Sequence, residues 1–264
     1  MIKHLSIILS LILTSCSFSQ EHALRSPDHI YPLKKELKEI SGLSLMDTNH
    51  LVAIQDEKGY IFSLSIDHFI KKNKLQFAKK GDYEGIATGL GRYFILKSNG
   101  NIISVDRNGE SKKVFKPHFK NKIEFEGLCF DSKQNRLLIL CKDHSSKKKN
   151  KYINIYEFDL NSEQFNKNPV LKLDKKKAGI HNPQGLLPSG IAINPLDGYI
   201  YIVASVGKKL IVLNNEGQFV HYYNLDETIY KQPEGITFSK SGELYIASEG
   251  KSGNAQVMHF ISIP

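Results

Sequence analysis

The sequence predicts an all-β protein built as one five-bladed β-propeller, and three observations lead to this fold class. A motif centred on glycine recurs five times, a short apolar strand follows every copy, and no long helical pattern occurs after the N-terminal segment. The motif glycines, at intervals of 43, 42, 63 and 45 residues, are Gly42, Gly85, Gly127, Gly190 and Gly235. Because a four-stranded propeller blade spans roughly 40–50 residues, we assign one blade to each motif.

The strands of a blade follow from the pattern around each motif. The motif itself lies on the first strand, and an apolar second strand begins roughly ten residues later, as at residues 93–96 and 201–204. Residues typical of turns lie between these two strands, as at 131–135 and 194–198. A third strand follows in every copy, whereas the fourth strands are less regular.

Two inserts and one early strand complete the predicted ring. The 63-residue interval is too long for one blade and too short for two, so we place inserts around residues 144–151 and 174–187. A strand-like segment at residues 31–37 precedes the first motif. We expect it to complete the last blade, because joining both ends of the chain closes the ring and removes exposed strand edges.

The first residues predict export and a lipid anchor. A basic start, an apolar run over residues 5–13 and a Leu-Thr-Ser-Cys sequence ending at Cys16 resemble a bacterial lipoprotein signal, which is cleaved before an acylated cysteine. The alternative is an ordinary secretory signal that happens to contain a cysteine. The predicted organisation is a lipoprotein signal peptide over 1–15, a lipidated linker over 16–27 and the propeller over 28–264.

Lipidation would tether the propeller to a membrane of the cell envelope. Several acyl chains on Cys16 would anchor it stably, whereas a single chain binds only weakly. Ser17 follows the anchor, and an Asp there would have resembled an inner-membrane retention signal. We therefore expect the outer membrane, with the body facing the periplasm or the cell surface. The other expected partner is a protein, glycan or small-molecule ligand, and the chain is expected to be a monomer.

Composition excludes several classes of protein. With 264 residues, 41% of them hydrophobic, the chain can bury a substantial core, which excludes global disorder. No apolar stretch reaches the roughly 20 residues of a membrane-spanning helix. The formal net charge of +9 indicates a solvated, lysine-rich surface or contact with anionic lipids or acidic glycans, and no nucleic acid is expected for an exported protein. Three cysteines cannot form a disulfide framework, and Cys129 and Cys141 are expected to be buried thiols.

Two rings of side chains are predicted around the propeller channel. The innermost strands line the channel, so a position that repeats in every blade becomes a ring. The position before each motif glycine gives a first ring of Ser41, Glu84, Glu126, Ser189 and Glu234. The position 13 to 16 residues after each glycine gives a second ring of Asp56, Ser98, Lys142, Val206 and Glu249.

The carboxylates of these rings would repel one another unless something compensates their charge. Either their pKa values rise, or Lys142 and water share the charge, or a cation binds. Ligands that are all oxygen suit Ca²⁺ and argue against zinc or copper. We therefore predict a calcium site from Glu84, Glu126, Glu234, Glu249 and Asp56, in a channel also lined by Ser41, Ser98, Lys142 and Ser189. In the alternative, the glutamates only bond backbone amides of neighbouring blades and hold the ring.

The repeated motifs resemble one known family. Ser-Gly-Leu, Glu-Gly-Ile and Glu-Gly-Leu steps, with Ile54-Gln55-Asp56 after the first motif and Ser248-Glu249 after the last, look like the SdiA-regulated (YjiK-like) propellers. The resemblance covers the chain from about Leu37 and implies a five-bladed propeller with a calcium site, distantly related to NHL-repeat propellers, some of which are metal-dependent hydrolases. It extends the calcium expectation to Glu84, Glu126, Glu234 and Glu249, with Asp56 as a weaker member and Val206 as a departure.

Two functions remain open from the sequence. The first is a membrane-tethered, calcium-binding propeller that acts as a binding or scaffolding module, because no assembled nucleophile, base and orienting residue is visible. The alternative is a calcium-dependent hydrolase of a phosphoester, lactone or related ester at the channel, with Glu126 or Glu234 as general base. Whether the protein is an enzyme is left undecided.

Overall fold

The computed structural model describes residues 22–119, 122–144, 151–180, 182 and 185–263. The predicted signal peptide and Cys16 lie outside the described residues. Within the described part the fold is all-β, and five sheets form the blades of a propeller. The predicted fold class is therefore confirmed. No helix of the described part has the length and apolarity to cross a membrane.

The first three blades follow one another along the chain. Blade 1 consists of β3 (Ile40–Leu45), β4 (His50–Gln55), β5 (Tyr60–Ser65) and β6 (Lys71–Gln76). Blade 2 consists of β7 (Tyr83–Gly89), β8 (Arg92–Lys97), β9 (Ile102–Asp106) and β10 (Lys112–Phe115). Blade 3 consists of β11 (Ile123–Asp131), β12 (Arg136–His144), β13 (Tyr152–Asp159), β14 (Gln164–Phe165) and β15 (Leu171–Asp174).

The last two blades each take a strand from the N-terminal part of the chain. Blade 4 consists of β16 (Leu187–Ile193), β17 (Ile200–Val206), β18 (Lys209–Leu213), β19 (Phe219–Asn224) and the short β1 (His22–Ala23). Blade 5 consists of β20 (Pro233–Phe238), β21 (Leu244–Ser248), β22 (Gln256–Phe260) and β2 (His29–Pro32). The inner strands β3, β7, β11, β16 and β20 contact one another around a closed ring.

The N-terminal strand closes the ring as expected, but at a shifted position. β2 pairs antiparallel with β22, whereas the sequence predicted this strand at 31–37. Residues Lys35–Leu37 form a 3-10 turn instead, with Leu37 buried. Within the segment predicted as a linker, His22 and Ala23 pair with β19, and Leu24 is buried against blades 4 and 5. Backbone pairing therefore holds the chain from His22 onward.

The core is divided into five apolar clusters, each between two adjacent blades. Blades 1 and 2, for example, pack Ile54 and Ile61 against Ile95 and Val105. Blades 5 and 1 pack Val257 and Tyr245 against Phe62 in the same way. Because every blade has a partner on both sides, apolar residues cover both faces of each sheet, and the closed ring buries the five clusters between the blades.

The 63-residue interval of the repeat belongs to blade 3. Here β15 joins the blade beside β14 by pairing with β13, and a long connection leads from Asp174 to β16. The hairpin of β11 and β12 places Cys129 opposite Leu138 and Cys141 opposite Phe125. Both cysteines are buried and carry thiols instead of forming a disulfide, so the prediction of two buried thiols is confirmed.

Candidate functional site

The residue before each motif glycine lies at a β-bulge of its inner strand. The pairing register shifts at this point in every blade, so that the extra residues are Ser41, Glu84, Glu126, Ser189 and, with its glycine, Glu234. A bulge bends a strand locally and redirects a side chain. All five residues line one narrow space on the propeller axis. The repeated motif is therefore a device that turns one side chain per blade into the channel.

The motif glycines let the inner strands approach closely. A Cβ atom on Gly42 would lie 3.0 Å from the backbone nitrogen of Ile86 in the next blade, and one on Gly127 would lie 3.1 Å from that of Ile191. At Gly190 a Cβ would overlap the backbone oxygen of Glu234. The space left at the axis is about 10 Å³, roughly room for one water-sized particle.

The two serines of the first ring tie neighbouring blades together. Ser41 donates its hydroxyl proton to the carbonyl of Tyr83 in the next blade at 2.6 Å. Ser189 donates to the carbonyl of Pro233 in the next blade at 2.7 Å. Both side chains are buried. Their hydroxyls are engaged by the backbone, so these positions fasten the ring.

The three glutamates of the first ring form one electrostatic group. Burial, followed by the charge of Glu126, raises the pKa of Glu84 to about 9. Burial also raises the pKa of Glu126. The pKa of Glu234 is raised well above its usual value by burial and then by the charges of Glu126 and Glu249. The charge of Glu126 thus makes ionisation of both Glu84 and Glu234 harder, as expected for acids that share a poorly solvated space.

Lys142 is the cation inside this group. Its Nζ lies 2.5 Å from Oε1 of Glu126, and its side chain is 34% exposed. Burial lowers the pKa of Lys142, but the bond to Glu126 and the charges of Glu126, Glu84 and Glu234 outweigh this and raise it. The ammonium of Lys142 is therefore protonated. It bonds Glu126 and is also stabilised by the charges of Glu84 and Glu234.

Backbone hydrogen bonds hold two second-ring residues in place and connect blade 1 to blade 2 and blade 2 to blade 3. The amide of Asp56 donates to the carbonyl of Glu39 in its own blade, and the carbonyl of Asp56 accepts from Tyr83 in blade 2. Ser98 repeats this pattern between Asp82 and Phe125. The second-ring residues therefore sit at the same mouth of the channel as the starts of the inner strands.

Asp56 and Glu249 form a second acidic group at the seam of blades 5 and 1. Burial and then the charge of Asp56 raise the pKa of Glu249 to about 7. Burial and then the charge of Glu39 raise the pKa of Asp56. The Oδ1 atom of Asp56 is buried and has no hydrogen-bond partner among the described residues. Val206, the remaining second-ring residue, is 45% exposed and contributes no polar group.

Sequence reasoning missed three further acids at this mouth. Glu39, Asp82 and Glu124 raise the pKa values of ring carboxylates, and each lies three residues before its motif glycine. Asp82 also accepts a hydrogen bond from the hydroxyl of Ser98. The sequence contained this signal, because the position three residues before the motif glycine is acidic in blades 1, 2 and 3.

A cavity of about 450 Å³ opens beside the glutamates between blades 2 and 3. Its polar lining includes Asp82, Glu84, Ser98, Glu126 and Lys142. Phe119 and Pro117 give it an apolar wall. The ring carboxylates are thus reachable from a space large enough for a small molecule.

The opposite mouth has different chemistry. A collar of five aliphatic side chains, each at most 4% exposed, follows the motif glycines: Leu43, Ile86, Leu128, Ile191 and Ile236. Beyond it lies a second cavity of about 380 Å³, whose lining includes Ser44, Thr88 and Thr237. These hydroxyls bond one another or nearby backbone. The collar therefore separates the acidic mouth from a second mouth whose charged lining residues, Asp47, Arg107 and Lys240, have both signs and which we call the neutral mouth.

The acidic mouth matches calcium in donor chemistry. Its donors are carboxylate, hydroxyl and carbonyl oxygens, and the buried Oδ1 of Asp56 needs a partner. However, no three His, Cys, Asp or Glu side chains of the described residues are grouped as a ready-made metal site. The bond between Lys142 and Glu126 occupies a carboxylate oxygen that a metal at this place would need.

The family can be decided from the sequence match. The model of the SdiA-regulated family matches residues 22–252, which include all five motifs and both rings. The chain belongs to the SdiA-regulated family. No curated relative matches this SdiA-regulated chain at the sequence level.

Solved structures similar to this SdiA-regulated propeller share its fold at low identity. A glutaminyl cyclase from Myxococcus xanthus has a TM-score of 0.61 at 11% identity, over 92% of this chain and 98% of the other. A luciferin-regenerating enzyme has a TM-score of 0.55 at 14% identity, over 89% and 96%. A gluconolactonase from Xanthomonas campestris has a TM-score of 0.55 at 10% identity, over 92% and 89%. Their names describe different reactions, so the likeness concerns the fold alone.

Proposed function

We propose that this protein is a membrane-tethered propeller that binds a divalent cation, calcium, at its acidic mouth and uses that mouth as a binding or scaffolding site. The observation that carries the proposal is the electrostatic coupling of Glu84, Glu126, Glu234 and Glu249, whose pKa values are all raised. Asp56 belongs to the same group through Glu249. A divalent ion would relieve this repulsion.

The donor set supports calcium over softer metals. Calcium takes about six to eight oxygen ligands in a flexible geometry, and it tolerates carboxylates that come from different strands. Glu84, Glu126 and Glu234 come from three inner strands, while Asp56 and Glu249 follow the second strands of two blades. A bound ion would link four of the five blades, with a structural gain to the ring.

The tether rests on the N-terminal sequence. The Leu-Thr-Ser-Cys sequence at Cys16 follows a short apolar run, which supports acylation and anchoring in the outer membrane. Five residues, 17–21, would separate the anchor at Cys16 from His22, where pairing with blade 4 begins. Mass spectrometry of the membrane fraction tests this step: acyl groups on Cys16 are expected, and an unmodified Cys16 would contradict it.

Thermal unfolding in calcium tests the cation site. Residues 17–264 contain the whole described fold and are stripped with chelator before the titration. At a hundredfold excess over the dissociation constant, calcium should raise the melting temperature by about 5 °C, because binding to the folded state adds roughly 2.7 kcal/mol. Mg²⁺ should give a smaller rise, since it keeps its water shell and demands a stricter geometry.

Two variants and one matched control locate the ion. Glu126→Gln and Glu234→Gln should each reduce the calcium-dependent rise to less than half. The control is Glu216→Gln on an exposed turn of blade 4, which removes the same charge and should leave the rise unchanged. An equal loss in all three variants, or no rise in the parent chain, would overturn the proposal.

A second candidate function is a calcium-dependent hydrolase of a phosphoester, lactone or related ester. One observation favours it: Glu84 has a pKa of about 9 and lines the 450 Å³ cavity beside Glu126. A carboxyl group that stays protonated at neutral pH can serve as a general acid. Glu126 fits a general base better than Glu234, because its bond to the ammonium of Lys142 favours the ionised carboxylate. Burial and neighbouring charges disfavour the ionised form of Glu234. A bound ion would polarise the scissile group.

Hydrolysis of a panel of lactones and phosphoesters tests this second function. Calcium-dependent turnover that falls at least about a hundredfold in Glu84→Gln would support it, since general acids contribute about that much. Turnover that persists in Glu84→Gln, or none above the chelated control, would leave binding as the function.

A further inference from the structure

Lys142 differs in charge from every equivalent residue of the repeat. The corresponding residues in the other four blades are Asp56, Ser98, Val206 and Glu249. Two of these are acidic, and none is cationic. The chain therefore places one ammonium group at a position that elsewhere adds negative charge or none.

Its geometry is that of a built-in counterion. Lys142 follows Cys141, which pairs opposite Phe125, so its side chain begins beside the bulge that projects Glu126. Nζ bonds Oε1 of Glu126 at 2.5 Å, and that glutamate side chain is only 8% exposed. A short bond between a charged donor and a buried carboxylate is stronger than a surface ion pair.

The charge of Lys142 is distributed unevenly over the mouth. It acts on Glu126, Glu84 and Glu234, which belong to blades 3, 2 and 5. Asp56 and Glu249, at the seam of blades 5 and 1, affect each other and experience Glu39, with Lys251 as a more distant cation. In one half of the mouth the ammonium of Lys142 thus bonds a carboxylate, that of Glu126. In the other half, Asp56 and Glu249 have no cation in contact among the described residues.

We propose that Lys142 is a built-in competitor of the divalent cation: its ammonium compensates the first-ring glutamates from within the chain and thereby limits the calcium affinity of the channel. This inference rests on the proposed cation site and deepens it. An ion that binds among the same glutamates must either displace the ammonium from Glu126 or bind beside it. A monovalent and a divalent cation about 6 Å apart repel enough, even at the dielectric constant of water, to change an affinity about tenfold.

Calorimetric titration of Ca²⁺ into the parent chain, three variants of Lys142 and one control variant tests the inference. Lys142→Met removes the charge and keeps most of the volume, and it should bind calcium at least about tenfold more tightly than the parent chain. Lys142→Gln removes the charge but retains a hydrogen-bond donor for Glu126. It should show the same gain in calcium affinity, and it replaces Lys142→Met in the test if that variant folds poorly. Lys142→Arg keeps the charge and should stay within about threefold of the parent.

The matched control is Lys58→Met, on the exposed turn after Asp56 at the same mouth. It loses the same unit of charge without touching Glu126, so its calcium affinity should change less than about threefold. Equal affinities of Lys142→Met, Lys142→Gln and the parent would overturn the inference while leaving the cation site intact. Tight binding by the neutral variants with none by the parent would support the inference and overturn calcium binding as the function of the native chain. No binding by any of them would overturn both.

Discussion

The two mouths of the channel are built from the same five strands and differ completely in chemistry. At one mouth the bulged residues and the ends of the second strands supply carboxylates with raised pKa values. At the other mouth, beyond the aliphatic collar, the lining hydroxyls are engaged with one another and with backbone. The same inner strands therefore carry different chemistry at their two ends, and the bulge is what turns the glutamates toward the acidic mouth.

The collar gives this difference a functional meaning. Leu43, Ile86, Leu128, Ile191 and Ile236 lie between the carboxylates and the neutral cavity. A hydrated ion is costly to move past a ring of buried aliphatic side chains. Ions and ligands should therefore reach the glutamates only from the acidic mouth and the cavity beside it.

The largest effect is a loss of stability, and it is expected at the motif glycines, where the inner strands approach one another between the two mouths. Gly190→Ala should lower the free energy of unfolding by about 3 kcal/mol or more, because its Cβ would overlap the backbone oxygen of Glu234, which cannot move without opening the ring. Denaturant unfolding measures this loss. Gly127→Ala is the graded control, since the nearest atom there is 3.1 Å away, and it should cost less. Equal costs would contradict a ring held at minimum spacing.

The next effect is a dependence of stability on pH that arises at the acidic mouth. The folded protein holds protons on Glu84 and Glu249 more tightly than the unfolded chain, because their pKa values rise from 4.5 to about 9 and about 7. Their contribution is therefore present at acidic pH and is lost as the pH rises through these values. In chelator, the melting temperature should fall by several degrees between pH 5 and pH 9.

Two comparisons assign that pH dependence to the acidic mouth. Glu84→Gln should flatten the decline, because the amide cannot ionise, and saturating calcium should flatten it in the parent chain. Glu216→Gln on the exposed turn of blade 4 should leave the slope as it is. A melting temperature that rises with pH over this window would contradict the raised pKa values.

A smaller effect is expected at the serine positions of the first ring. Ser189→Ala removes a buried hydroxyl that donates to the carbonyl of Pro233 at 2.7 Å, and it should cost about 1–2 kcal/mol of unfolding free energy. Its calcium affinity should stay within about twofold of the parent, because the hydroxyl is engaged with backbone. A large loss of calcium binding in Ser189→Ala would make this serine a ligand and erase the distinction between fastening and acidic positions.

The smallest effect is expected at the neutral mouth. Arg107 lines the cavity there, and its guanidinium donates to the carbonyl of Met46 at 3.2 Å. Arg107→Gln should change calcium affinity less than about twofold, since solvent and salt screen an exposed charge on the far side of the collar. The same titration measures it, and a change comparable to that of Lys142→Met would contradict the separation of the two mouths.

The repeat made the fold readable from sequence, and it suggested Lys142 as a source of compensating charge, but it did not identify the carboxylate that Lys142 bonds. Five glycine motifs at blade spacing predicted the ring and its closure by an N-terminal strand. They also gave the first-ring positions, because a shared position in a symmetric fold becomes a ring. The acidic mouth as a whole was only partly foreseen, since Glu39, Asp82 and Glu124 lie one step outside the motif.

Other features depend on contacts that no local pattern encodes. Ser41 and Ser189 occupy the same repeat position as the glutamates, and only the distance to the next blade's carbonyl shows that they fasten the ring. The ion pair of Lys142 with Glu126 depends on a bulge that shifts the register of β11 against β12. The pairing of His22 and Ala23 with β19 is equally long-range, and no local pattern of this segment encodes it.

The most direct test of the central claim is the anomalous diffraction of crystals grown in Ca²⁺ and measured at long wavelength. The account predicts an anomalous peak at the acidic mouth, within bonding distance of carboxylate oxygens from Glu234 or Glu126 and of Glu249 or Asp56. A peak at the neutral mouth, or an acidic mouth without one at calcium concentrations that saturate the thermal shift, would contradict it.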